Sequence, residues 1–234
     1  HTYTVKETST DGNGITVDGK TYTVTVTVAD NGDGTLEITA SDNATALGFT
    51  NTYEAKGNVT FAGTKTLEGR TLTAEDVFTF EIAETGTDKT WTAESDKDGN
   101  IVYPTIEYTL DDVGDHTYTV KETSTNSNGI TVDTTEYTVT VTVSDNGDGT
   151  LSVTASENAT ALNFTNSYAA DGEIVFEGSK ILTGKTLVEN DFSFVLTDEA
   201  GNVIETVKNA ADGSFAFSAI EYDLDDAGKT YTYR

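Results

Sequence analysis

Residues 136–143 read EYTVTVTV, with Tyr137, Val139, Val141 and Val143 alternating against polar neighbours. A period of two is what a strand with one buried and one wet face requires, because successive side chains point to opposite sides of a sheet. The run YTVTVTV also stands at 22–28, and it is one of many shared words. Residues 1–53 align with 116–168 without a gap; 11 of the 53 positions differ and 42 are identical, which fixes a repeat offset of 115. HTYTVKETST, DNGDGTL and FTN all recur at that spacing.

Residues 54–119 recur more loosely in 169–234, FAGTKTLEGRTL beside FEGSKILTGKTL and IEYTLDD beside IEYDLDD. The expected organisation is the C-terminal half of one repeat (1–53), a complete repeat (54–168) and the N-terminal half of a third (169–234). The chain opens at His1 inside a strand pattern and contains no Met, so it is expected to be a piece of a longer array. The junctions at 53–57 and 168–172 are short, which predicts tandem domains in a stiff rod.

Within the complete repeat the pattern predicts strands at 58–67, 77–84, 91–94, 101–103, 116–123, 136–143, 151–155 and 162–168. Turns are expected at 96–100, 110–112 and 145–149. About seven or more short strands in one such repeat is the count of an immunoglobulin-like β-sandwich, and the fold class is all-β. Composition agrees: Thr, Val and Tyr dominate, and only one Pro is present. No stretch approaches the roughly 20 apolar residues of a membrane-spanning helix. The net charge of −27, from 40 acidic and 13 basic residues, repels phosphate backbones and anionic membranes, which excludes nucleic acid as a partner. With no cysteine there is no disulfide. An acidic, Thr-rich tandem array without cysteine is expected outside a cell whose secreted proteins avoid disulfides.

Three polar residues fall on the inward phase. Reading Val59, Phe61, Gly63 and Lys65 as alternate residues puts Lys65 on an apolar face; the same logic groups Glu122 with Tyr118 and Val120, and Asn166 with Phe164 and Tyr168. A buried ammonium and a buried carboxylate must pair or become neutral. A neutral Lys amine is a nucleophile, a protonated Glu122 can polarise an amide carbonyl, and Asn166 supplies one. The product is an amide between the Lys65 and Asn166 side chains with loss of ammonia. Two blander readings stand beside it: surface residues near strand ends, or a buried salt bridge that leaves Asn166 without a reason.

Lys65 in KTLEGRTL, Glu122 in YTVKE and Asn166 in FTNSY occur in the order and at distances similar to those of the pilin isopeptide-linkage domains of Gram-positive surface proteins. The chain resembles that family over the complete repeat and both partial ones. The resemblance implies a spontaneous Lys–Asn isopeptide bond with Glu as helper acid, in a row of immunoglobulin-like domains. Composition alone shows no such bond. Carried over by position, Lys65, Glu122 and Asn166 form the full set. Glu7 and Asn51 belong to the first partial repeat, and Lys180 to the last, whose Glu is expected just past Arg234. Lys180 of one molecule is then complementary to Glu7 and Asn51 of another, so head-to-tail association by completing a split domain is expected, with an intermolecular bond open to it. The overlap of TYTYR at the end with HTYTV at the start gives both halves a claim to one strand, which could block the fit.

The segments 30–34 and 145–149 superficially resemble calcium loops, but the twelfth position counted from Ser144 is Ala155 rather than Glu, and Asn-Gly and Asp-Gly turn chemistry accounts for them. No metal and no cofactor are expected. His1 and His116 occupy one repeat position and are expected to face solvent. Trp91 is expected in the core or at its rim. The sequons at Asn43, Asn58 and Asn158 arise easily in a Thr-rich chain. Nothing supports enzymatic turnover beyond a single self-cross-linking event. The function expected is a structural stalk or spacer of a cell-surface adhesin or pilus-like protein, cell-wall anchored in its parent. The rivals are repeats that bind a host protein or glycan multivalently, or a sortase-polymerised pilin backbone, for which no YPKN-like motif or sorting signal is present.

Overall fold

The structure, a computed structural model, describes residues 1–234. Thr2–Lys6 (β1), Ile15–Thr16 (β2), Thr21–Asp30 (β3), Leu36–Ala40 (β4) and Thr52–Tyr53 (β5) come first. Gly57–Thr60 (β6), Lys65–Glu68 (β7), Thr79–Glu84 (β8), Thr90–Ser95 (β9), Ile101–Val102 (β10) and Thr105–Tyr108 (β11) follow. Then come Gly114–Glu122 (β12), Ile130–Thr131 (β13), Glu136–Asp145 (β14), Leu151–Ala155 (β15) and Phe164–Tyr168 (β16). The last six are Asp171–Ile174 (β17), Glu177–Ser179 (β18), Ser193–Thr197 (β19), Val203–Lys208 (β20), Ser214–Ala216 (β21) and Ile220–Asp223 (β22). The protein is all-β; its only helical turns are short 3₁₀ segments. Packing divides it into two compact units, one of His1–Thr66, Leu72–Ser124 and Asp133–Phe164, the other of Leu67–Thr71, Thr125–Val132 and Thr165–Arg234.

The first unit is built around a six-stranded antiparallel sheet in the order β10-β9-β8-β12-β14-β15. The EYTVTVTV strand β14 pairs with β12, Val139 opposite Tyr118 and Val141 opposite His116. Its alternation is realised as read, with Val139, Val141 and Val143 buried and the threonines between them exposed. The covering layer supplies Phe61, Leu162 and Phe164, all buried. Phe164 lies 5.0 Å from Phe80 and Phe61 lies 5.7 Å from Tyr118 between ring centroids, so two apolar faces interdigitate as in a sandwich.

The single strand expected over 58–67 is two. β6 pairs antiparallel with β11, whereas β7 belongs to a sheet ordered β13-β16-β7, so the chain changes partners at residues 61–64. Gly63 permits the change: a Cβ there would sit 1.9 Å from the Leu162 carbonyl oxygen. Around it Leu162 N–H donates to Ala62 O and Phe164 N–H donates to Thr64 O, so the two segments run in the same direction. Strand β11 was not expected; it follows Pro104 directly and is too short for its alternation to register.

The repeat reappears in the fold. β1 pairs with β3 with Thr2 opposite Thr25, and β12 pairs with β14 with Thr117 opposite Thr140, each residue shifted by 115. Burial is not repeated: Tyr3 is 54% exposed where Tyr118 is 1%, and Leu36 is 59% exposed where Leu151 is 7%. Residues 1–53 therefore present the inner face of half a sandwich to solvent. The turn at 145–149, with Gly147 and Gly149 at positive φ, is a hairpin whose Asp145 accepts from Gly147 N–H and from the Tyr53 hydroxyl at 2.7 Å. Gly149 N–H donates in turn to Tyr53 Oη, and Lys56 N–H to Gly149 O. The junction at 53–56 is thus hydrogen-bonded to the hairpin of the following repeat. Gly14 abuts the same hairpin at φ +78, with space for no Cβ between Glu54 O and Gly149 Cα.

In the second unit, β17 pairs with β22, β18 with β21 and β19 with β20. Arg234 and Thr197 exchange backbone hydrogen bonds, as Thr119 pairs with Ala83 one repeat earlier. The Tyr222 and Tyr233 hydroxyls meet at 2.7 Å, the distance between those of Tyr108 and Tyr118. TYTYR therefore already occupies its own repeat's version of the His116 strand. Ile181 and Val203 are 80% and 63% exposed.

Candidate functional site

Strand β7 buries alternate residues, and Lys65 is one of them because its N–H donates to Gly99 O and fixes the register. The Lys65 Nζ reaches 2.7 Å from Glu122 Oε2, and neither side chain has any solvent exposure. It also lies 4.8 Å from the centre of the Phe78 ring. Burial pushes the Lys65 amine below its ordinary pKa, against the opposing pull of the Glu122 hydrogen bond and charge and of the Asp133 charge. Desolvation of both partners makes the ionised pair expensive, and moving one proton along the 2.7 Å hydrogen bond converts it to a neutral amine and a neutral acid. Asn166 is completely buried on β16, whose sheet also contains β7.

The first partial repeat shows the other side of the acid. Asn51 Nδ2 donates to Glu7 Oε1 at 3.0 Å, while Asn51 Oδ1 accepts from the backbone N–H of Asp18 at 2.8 Å. Asp18 is itself tied down: its carboxylate accepts from Thr50 N–H and Lys20 N–H at 2.8 and 2.9 Å and forms an ion pair with Lys20. Those backbone donors, Thr50 first, hold the Asp18 carboxyl below the usual carboxylate range. Asp18 was not singled out from sequence, although ITVD recurs at 15–18 and 130–133. Lys180 in the last partial repeat lies 4.7 Å from the Phe192 ring centre, and its N–H donates to Gly213 O, reproducing the Lys65 setting. It is half-buried.

His116 departs from expectation. It shares the parity of Tyr118, Val120 and Glu122 along β12 and so points inward, between the rings of Tyr108 and Tyr118. Its Nδ1 meets Glu84 Oε1 at 2.5 Å and its Nε2 meets the Asp112 carbonyl at 2.7 Å. The Asp112 carbonyl can only accept and Glu84 presents a carboxyl oxygen, a setting that favours the doubly protonated imidazole. Burial opposes that charge, but the Asp112 carbonyl and then Glu84 outweigh it and raise the His116 pKa. His1 is exposed as expected. Trp91 is half-buried against Tyr118, 5.9 Å between ring centres. Asn43 and Asn158 engage their amides locally, donating to Thr23 O and Thr138 O while accepting from Ser41 and Ser156.

The fold and the site define a β-sandwich repeat that buries a Lys–Glu pair. A family model described as FctA, the Spy0128-like isopeptide containing domain, matches residues 1–54, 61–169 and 176–234, and the chain belongs to that family. No curated protein matches it. Among solved structures, the major pilin of Streptococcus pyogenes is similar at 15% identity and a TM-score of 0.31, over 71% of this chain and 76% of that one. The T-13 major pilin of S. pyogenes is similar at 20% identity and a TM-score of 0.30, over 73% of this chain and 77% of that one. At these scores the architecture rests on the chain's own strands and registers.

Proposed function

We propose that the repeats are structural units of an extracellular pilus or adhesin stalk, each closed by an amide that the chain makes itself between Lys65 and Asn166 with Glu122 as helper acid. The observation that carries this is the solvent-free Lys65–Glu122 contact at 2.7 Å. Family membership and the Glu7–Asn51 hydrogen bond support it, because the two repeats display an acid touching Lys in one case and Asn in the other. A single proton on the pair leaves Nζ with a lone pair to attack Asn166 Cγ. Glu122 gives its proton to Nδ2 as the C–Nδ2 bond breaks, and takes one back from Nζ, so that ammonia leaves and no oxidant or cofactor is required. The reaction occurs once per repeat and is not turnover.

The 62–64 and 162–164 segments run in the same direction side by side, so force applied to opposite ends of a repeat shears them apart. An amide between Lys65 and Asn166 lies across that load path and shields the strands between. Cell-wall anchoring belongs to the parent protein in this scheme. The test is the mass of the denatured chain: a deficit of about 17 Da, one ammonia, is expected, and the unshifted sequence mass would reduce the site to a buried ion pair.

The open apolar faces favour an association as well. Residues 1–53 of one molecule expose Tyr3, Val28, Leu36 and Ile38, whose equivalents one repeat on are covered in the complete domain. Residues 169–234 of a second copy are the matching half by repeat, and Lys180 then faces Glu7 and Asn51. Self-association in sizing chromatography, with a cross-linked species of twice the chain mass, is expected. A monomer at all concentrations refutes it, and TYTYR competing with β1 for one place in the sheet is the physical reason it would fail.

A further inference from the structure

In the Asn51 arrangement the acid does not hold the carbonyl. A backbone N–H can only donate, so the Asn51 atom 2.8 Å from Asp18 N is the amide oxygen, which turns the amide nitrogen toward Glu7. Asp18 is a clamp with two grips: its carboxylate holds Thr50 N–H, the residue before Asn51, and its own N–H holds the Asn51 oxygen. The clamp residues recur in the complete repeat as Asp133, Thr165 and Asn166, at the shared offset of 115. Asp133 anchors its loop in the same way, its carboxylate accepting from Thr135 N–H at 2.8 Å and from the Thr135 hydroxyl.

We propose that the backbone N–H of Asp133 is the oxyanion donor of the cross-linking centre, aimed by the Asp133 carboxylate, and that Glu122 serves only as the proton carrier between Lys65 and the departing nitrogen. This rests on the cross-link proposed above. As Lys65 Nζ bonds to Asn166 Cγ, the π electrons of the carbonyl move onto Oδ1, and the donor already in place at that oxygen stabilises the charge without reorganising. The tetrahedral carbon then expels Nδ2, protonated from Glu122, as ammonia, and the carbonyl reforms. The division of labour places the acid on the nitrogens, where protons must move, and the fixed amide on the oxygen, where charge appears. It also gives a task to the Asp of the repeated ITVD segment, a half-buried polar residue at both positions.

Two measurements test this on the full chain. In the unreactive Lys65→Ala variant, NMR should detect a coupling through the hydrogen bond from the Asp133 amide nitrogen to the Asn166 side-chain carbonyl carbon, alongside the same signal from Asp18 to Asn51. Seeing the second without the first overturns the proposal. For the rate, Asp133 is replaced by its α-hydroxy analogue, so that an ester oxygen stands in place of the N–H, and the 17 Da ammonia loss is followed by mass spectrometry. Loss of one oxyanion donor predicts slowing by about 10²–10³-fold. An ester variant that cross-links at the unsubstituted rate refutes the donor while leaving the cross-link intact. An unsubstituted chain with no mass deficit refutes both. Should the ester variant fail to fold, the NMR coupling alone decides.

Discussion

Asn166→Ala separates the covalent bond from the ion pair, because it removes the electrophile and leaves Lys65 and Glu122 as they are. The proposed bond would close a loop of 101 residues, 166 minus 65. By the chain-entropy relation used for disulfides, a cross-link over about 100 residues restricts the unfolded chain by about 4.7 kcal/mol. Deleting a fully buried amide adds about 1–3 kcal/mol for partners left unmade. For a repeat of 115 residues the unfolding entropy is about 0.24 kcal/mol/K, so the bond alone is worth about 20 °C in melting temperature. Differential scanning calorimetry and intact mass on the same samples provide the assay. The expected outcome is a variant of unshifted mass that melts cooperatively at least about 15 °C below a parent lacking about 17 Da. A parent that carries the mass deficit but melts within about 3 °C of the variant would refute the entropic reasoning, because a bond spanning that loop cannot be silent in the unfolded state.

Glu122→Ala should abolish the ammonia loss and leave Lys65 buried without its acid. Burial holds its pKa below the 10.5 of the unfolded chain, so the unfolded state binds more protons in that window, and stability should rise as pH climbs from the lowered value toward 10.5; a flat urea-midpoint profile over pH 7–10 refutes it. His116 has the opposite sign. Its raised pKa means stability is fully present below the unfolded value of 6.5 and is lost as pH rises through the folded one, a slope His116→Phe should erase in paired thermal melts. Gly14→Val should loosen the junction, since a Cβ there meets Glu54 O and Gly149 Cα and φ is +78; faster amide exchange at Tyr53–Lys56, with the 17 Da deficit retained, is the result that checks it.

What the sequence disclosed follows from what a period of two can encode. Alternation in EYTVTVTV or TYTVK reports which face is wet, and it placed Lys65, Glu122 and Asn166 inside, where each is buried or half-buried. It cannot report where a strand changes sheets, because the side-chain period continues through the change; the break at Gly63 is a matter of backbone approach to Leu162. Strands of two to four residues, β11 and β13 among them, are too short to establish a period. The missed inward orientation of His116 is different, since its parity with Tyr118 and Glu122 is legible in the sequence and the expectation of solvent exposure put it on the opposite phase. Two acceptors, Glu84 and the Asp112 carbonyl, are what make burial acceptable, and they come from other segments.

The same separation governs the site. A buried Lys is visible from one strand, but whether it is an ion-pair partner or a nucleophile depends on residues 57 and 101 positions away, at Glu122 and Asn166. The partial repeats supply information that the complete one does not. In residues 1–53, which hold no counterpart of Lys65, the Glu7–Asn51 pair displays the amide already turned, oxygen toward Asp18 N–H and nitrogen toward the acid. That orientation needs no amine, so in the proposed reaction the electrophile is oriented by the fold of the C-terminal half and the nucleophile is supplied by the N-terminal half. In the proposed scheme neither half bears the full desolvation cost alone, because the lysine becomes buried against its acid only when the two halves close and bring the amine to the amide.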